Sequence, residues 1–262
     1  MSTSLTALQK RIKARLYLDA VLPAFEDFIA QNEAAKKVLG DRIFTLSFQT
    51  SSGLRSYLHF SDQSCTVTKT RSKGSDIILH FLTEEQLNNE FEKSGFRLPI
   101  PLRGASRLAD IRIFKALSSL FEASLRPSEE ELKEPDFYIS HVALQLGIAL
   151  RAAVTLTKHE PRAKRILSGI SQGLAHFSIG AEGYGAWVDW DGISLRSGKG
   201  KPVREPDVSV TFKDAKTALQ AIGNRIDVLA AVGLRDITIE GYAPLADALG
   251  YIFERIPLYI SP

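Results

Sequence analysis

The chain repeats its own landmarks about half a length apart, and this constrains its fold more than any other feature of its 262 residues. Ala35-Lys36-Lys37-Val38-Leu39 returns as Ala163-Lys164-Arg165-Ile166-Leu167, Asp76 to Phe81 as Asp207 to Phe212, Ile100 to Gly104 as Ile237 to Gly241, and Leu108-Ala109-Asp110 as Leu245-Ala246-Asp247. The spacings are 128, 131, 137 and 137 residues. A period of that length is a whole small domain and not a solenoid unit. Two similar domains are therefore expected, residues 1–128 and 129–262, meeting in the charged stretch from Pro127 to Pro135. Each is long enough to bury a core without disulfides or metal.

Charge and cysteine content narrow the setting. With 33 basic and 30 acidic residues the net charge is +3, too balanced to argue for a nucleic-acid partner. Basic clusters at Lys10 to Arg15, Lys158 to Arg165 and Arg196 to Arg204 read as solvated surface. Cys65 is the only cysteine, so no internal disulfide can form and a reducing, cytoplasmic location is expected. The chain ends Ile260-Ser261-Pro262, which is not a peroxisomal address of the Ser-Lys-Leu type. Near the N-terminus, Leu5, Leu8, Ile12 and Leu16 alternate with Lys10, Arg11, Lys13 and Arg15 as in a basic amphipathic helix, which favours docking on its own domain and also permits transient contact with a membrane surface. The most apolar stretch, Tyr138 to Leu156, contains His141, Gln145 and Arg151 and is expected to be a buried helix, not a bilayer span.

Both halves read as helices, then short strands, then a helix, a strand and a closing helix. In the first, Leu5 to Leu22 and Pro23 to Leu39 carry helical spacing, followed by strands around Phe44 to Phe48, Tyr57 to Phe60, Cys65 to Thr68 and Ile77 to Phe81. In the second, helices are expected over Asp136 to Thr157 and Pro161 to Ser168, with strands over His176 to Ile179, Ala186 to Trp190, Ile193 to Leu195 and Val208 to Phe212. Asp214 sits at an N-cap position, Asp236 to Glu240 reads as a further strand, and Leu245, Leu249, Ile252 and Ile256 form the stripe of a last helix.

Catalytic and metal-binding patterns are scarce. Gly169-Ile170-Ser171-Gln172-Gly173 matches a nucleophile elbow in letters, but an elbow needs a strand entering and a helix leaving, and here the order is reversed. His176 is the only histidine after Ser171, with no acid between them. Gly180, Gly183 and Gly185 have the wrong spacing for a dinucleotide loop and are expected in turns or bulges, and Gly198-Lys199-Gly200-Lys201 is expected to be a flexible hairpin. The five histidines show no i, i+4 pair, so a side-chain metal site is not expected. Asp189 and Asp191, beside Trp190, read as turn residues.

The stretch from Pro206 to Ile256 resembles the sterol carrier protein type 2 family of nonspecific lipid transfer domains. The features that carry the likeness are Asp207-Val208-Ser209-Val210-Thr211-Phe212, then Asp214, Ala230-Ala231-Val232-Gly233, Ile237-Thr238-Ile239-Glu240-Gly241, and the apolar helix from Leu245 onward. With the preceding strands the resemblance extends back to Leu174; the first half fits less well, its Pro99 and Pro101 falling where strand hydrogen bonds belong. The resemblance implies an α+β fold of two similar domains, each with a helical N-terminal segment followed by a five-stranded, mainly antiparallel sheet covered by helices. It further implies no cofactor, and a hydrophobic small molecule or lipid (an acyl chain, sterol or similar ligand) held in an internal apolar cavity without catalysis. The expected ligand-binding residues are Leu219, Ile222, Leu245, Leu249, Ile252 and Phe253, with Pro257 to Ile260 as a lid. Burial at about 0.8 kcal/mol per methylene gives a 16-carbon chain roughly 12 kcal/mol before association costs of about 4 kcal/mol or more. The alternative is an assembly module with a filled core that recruits partner proteins; an enzyme would require Ser171, His176 and a carboxylate to converge.

Overall fold

The computed structural model describes residues 6–70, 75–92, 102–180 and 184–260. The chain divides into two compact units, Met1–Ser128 and Glu129–Pro262.

The first unit opens with α1 (Ala7–Leu16), set by a capping box in which the Thr6 hydroxyl accepts from the Gln9 N–H while the Gln9 side chain accepts from the Thr6 N–H. A π-helical turn, Tyr17–Val21, leads to α2 (Ala24–Gln31) and α3 (Glu33–Leu39). The sequence pattern predicts one helix from Pro23 to Leu39. Asn32 divides it, because its extended backbone and its side chain, accepting from the Ala35 N–H, start a new helix. Ile12 and Leu16 of α1 are buried, whereas Leu8 is exposed. β1 (Phe44–Thr50), β2 (Arg55–Ser61) and β3 (Ser64–Thr68) pair antiparallel in succession, and β4 (Ile77–Phe81) joins the other side of β1 in parallel. The order is β3-β2-β1-β4. α4 (Glu84–Glu92) and α5 (Leu108–Leu125) follow.

The second unit has a related succession with an added helix and strand near its end: α6 (Pro135–His159), α7 (Pro161–Ser168), β5 (Gly173–Ile179), β6 (Tyr184–Trp190), β7 (Leu195–Lys199), β8 (Val208–Phe212), α8 (Ala215–Ile222), α9 (Val228–Gly233), β9 (Ile237–Gly241) and α10 (Ala243–Phe253). Its sheet runs β7-β6-β5-β8-β9, with β5 and β8 parallel and the other pairs antiparallel. α6 is long and apolar enough to pass a membrane-span test by composition, yet most of its apolar window is buried, where it packs on α7, α8, α10, β6 and β7.

Three expectations need correction. Both sheets are mixed, each with one parallel pair among its antiparallel ones: β1 with the edge strand β4 in the first, β5 with β8 in the second. Among the described residues the first has four strands, not five: beside β4 stands an isolated bridge between Ile78 and Arg103, with the Ile78 N–H donating to the Arg103 carbonyl at 3.1 Å. Pro99 and Pro101 lie outside the described residues; lacking N–H groups, prolines cannot donate to such a ladder. Third, β7 begins at Leu195, and Ile193 stands 86% exposed in a turn held by the Asp191 carboxylate, which accepts from the Ile193 and Ser194 N–H groups. Gly198 therefore belongs to a strand and not to a flexible hairpin. The Trp187 ring lies across it, 2.2 Å from where a Cβ would stand.

One local device occurs in both units. Asp76 precedes β4, its carboxylate accepting from the Thr45 N–H at 2.8 Å while its own N–H donates to the Thr45 carbonyl at 2.9 Å. Asp207 precedes β8 and makes the same pair of bonds with Leu174, at 2.7 and 2.8 Å. Gly104 and Gly241 then cross directly over Asp76 and Asp207 at φ +90° and +101°. A Cβ on either would meet the aspartate carbonyl at 2.4 or 2.2 Å, so both the left-handed backbone and the contact require glycine. The fourth sequence landmark carries no such equivalence. Leu108 is 59% exposed while Leu245 is fully buried, because the connection from Gly104 is longer and the buried stripe of α5 begins at Asp110 and continues through Phe114, Leu117 and Phe121.

Candidate functional site

A cavity of about 400 Å³ lies between the sheet and the helices of the second unit. Strand period builds its floor. Alternate residues share a face, so Phe177 of β5, Val210 and Phe212 of β8, and Ile237 and Ile239 of β9 all point inward. Register aligns them in two rows, Phe177 beside Val210 beside Ile239, and Phe212 beside Ile237.

Helical spacing builds the walls. α6 contributes Leu146 and Ala149, the end of α8 contributes Ala221 and Ile222, and α9 contributes Val228 and Leu229. α10 presents Ala246, Gly250 and Phe253 at i, i+4 and i+7, and Ile256 follows from the turn beyond. Small residues leave the space unfilled: Ala149, Ala221, Ala246 and Gly250 hold back the walls, and nothing lies within 4 Å of a Cβ added to Gly250. A neighbouring row on α10, Asp247, Tyr251 and Glu254, forms the rim together with Asn224.

The first unit is rich in phenylalanine. Ten of the chain's 14 phenylalanines precede residue 128. Phe48 of β1 is the register equivalent of Phe177, since each pairs with the middle residue of a parallel partner strand. Phe48 packs against Phe81, Phe91 and Phe114 at centroid distances of 6.2, 5.8 and 6.1 Å, and Phe25 joins Phe114, Phe121 and Phe60. Through Phe114 these rings join into one aromatic cluster.

Of the six residues expected from sequence, Ile222 and Phe253 line the cavity. Leu245, Leu249 and Ile252 are fully buried in the core, and Leu219 is half-buried away from the lining. The sequence reading missed the floor residues of β8 and β9, Gly250, and the polar rim. The period-2 pattern of Val208 to Phe212 and the i, i+4, i+7 row of Asp247, Tyr251 and Glu254 were the signals that locate them.

The chain end is anchored. Arg255 donates to Glu160 through Nε at 2.6 Å and through Nη2, and the Tyr259 hydroxyl donates to the same carboxylate at 2.6 Å. Burial alone would raise the Glu160 carboxyl, but these bonds outweigh it and hold it below its ordinary value. Burial, with the hydrogen bond to Glu160, pushes Tyr259 up to about 12. Tyr259 and Ile260 are both buried.

Neither Ser171 nor His176 is among the residues that line the cavity. α7 enters the Gly169 to Gly173 segment and β5 leaves it. The backbone N–H of Ser171 donates to the Tyr242 hydroxyl, while His176 follows the opposite face of β5 from Phe177 and lies over Gly185. Burial, reinforced by Lys201, lowers the His176 imidazole. Among the described residues no group of three His, Cys, Asp or Glu side chains could hold a metal ion.

No protein-family model matches the chain, and no curated protein matches it. Solved structures that resemble part of it include sterol carrier domains. The apo sterol carrier protein 2 of Yarrowia lipolytica is similar over 39% of this chain and 91% of its own, at 15% identity and a TM-score of 0.32. Palmitated SCP2L2 of Aedes aegypti is similar over 37% and 89%, at 22% identity and 0.27. The sec-alkylsulfatase Pisa1 of a Pseudomonas species is similar over 55% of this chain but 28% of its own, at 10% identity and 0.30.

Proposed function

We propose that this protein is a non-enzymatic, cytoplasmic carrier that holds a hydrophobic ligand, an acyl chain, sterol or similar lipid, in the cavity of its second unit. The observation that carries the reading is the cavity itself: about 400 Å³, floored by Phe177, Val210, Phe212, Ile237 and Ile239. Specific small-molecule pockets run from about 300 to 1,000 Å³ and are mostly apolar with a few polar groups at one end. A dry space of this size is filled by a guest, because burying apolar surface releases about 25 cal/mol per Å².

We read the two units as related domains, the first of which packs an aromatic cluster among its described residues. In that unit the aromatic cluster favours the second reading, a structural module that gives partner proteins a surface. The test is mass spectrometry of lipid extracted from protein purified without detergent, together with titration by the uncharged dye Nile red. Co-purifying lipid and saturable dye binding are the expected results. Clean extracts and no dye binding leave only the structural module.

A further inference from the structure

The rim has one sign of charge. Asp247 and Glu254 are the charged side chains among the cavity's lining residues, and neither takes part in an ion pair among the described residues. Both are exposed, one α10 turn to either side of Tyr251. No lysine or arginine lines the cavity. The nearby Arg255 is committed to Glu160, and Arg225 folds back on Gly223, its Nε 3.3 Å from the position of a Cβ there. The C-terminal end of α8, which carries the partial negative charge of its aligned peptides, reaches the same rim through Ile222 and Asn224.

From this arrangement we infer that the cavity selects lipids whose head group is uncharged or cationic and donates hydrogen bonds, an alcohol or an amine, and discriminates against carboxylate and phosphate heads. The apolar chain enters between sheet and helices, and the head stops at the rim. There a hydroxyl or ammonium donates to Asp247 or Glu254, while an anion meets two like charges and no cation. The inference rests on the reading of the cavity as a lipid site.

The experiment uses the full chain loaded with Nile red and three ligands of one chain length: 1-dodecanol, dodecylammonium and dodecanoate, at about pH 8, where the last two are fully ionised. At about 10 mM salt the alcohol and the ammonium should displace the dye at concentrations about tenfold below dodecanoate, and the gap should shrink at about 500 mM, where the Debye length is only a few ångströms. Asp247→Asn combined with Glu254→Gln should close the gap at low salt, and Asp247→Lys with Glu254→Lys should reverse it. Both positions are exposed, so melting temperatures check that the variants remain folded. Equal displacement by all three ligands, or a gap that survives the neutralised rim, overturns the head-group assignment and leaves the carrier reading standing. Dye binding with displacement by none of the three overturns the cavity reading, and this inference with it.

Discussion

Gly250 is the residue at which cavity and stability can be separated. Glycine inside a helix costs about 1 kcal/mol relative to a good helix former, and here it stands at a wall with nothing within 4 Å of an added Cβ. Gly250→Leu should therefore raise stability by about 0.5 kcal/mol or more while lowering Nile red affinity at least about tenfold, measured by urea unfolding and dye titration. Asp207 shows the opposite coupling, a side chain that serves the fold alone. The Leu174 N–H, and then Arg204, hold its carboxyl below the ordinary value. A carboxyl lowered by folding adds stability that is fully present above its unfolded value near 3.9 and disappears as pH falls through the folded one. Arg204 is half exposed, so the effect should be below about 1 kcal/mol. The urea midpoint should fall below about pH 4, and Asp207→Asn should flatten that fall.

Helix ends and strand edges decide the next level. Glu160 caps the junction of α6 and α7 and collects both Arg255 and Tyr259, so the segment after α10 is fixed to the first helices of its own unit. Removing one partner strands a buried charge. Arg255→Ala should cost about 3 kcal/mol, whereas Glu160→Met with Arg255→Met should recover most of that loss, as read by thermal or urea unfolding. The sequence placed most elements well, including β4, β8 and α7, whose bounds follow from alternation, from Pro161 at a helix start and from Gly169 at its end. It missed the division at Asn32 because cap and interior asparagine look alike in a periodic run. It missed α9 because Val228 to Gly233 is too short to show a period. Ile193 was assigned to a strand for its side chain alone, while the Asp191 carboxylate sets a turn there.

At the scale of the whole chain, related successions of elements enclose a cavity in the second unit and hold a phenylalanine cluster in the first. This difference predicts where binding resides. Residues 129–262 expressed alone should fold and retain dye affinity within a few-fold of the full chain, whereas residues 1–128 should bind at least about tenfold more weakly; circular dichroism and Nile red titration read both. Comparable binding by the two fragments would show that aromatic packing does not close the first unit. The sequence by itself indicated two units, most of their helices and strands, and the paired aspartate and glycine positions, because periodicity, caps and left-handed turns are local properties of the chain. Only the tertiary structure decided which apolar residues are wall and which are core. Leu245 and Phe253 are alike in hydrophobicity but stand on different rows of α10: Leu245 packs closely over Gly173 in the core, whereas Phe253 shares the row of Ala246 and Gly250 that borders the cavity.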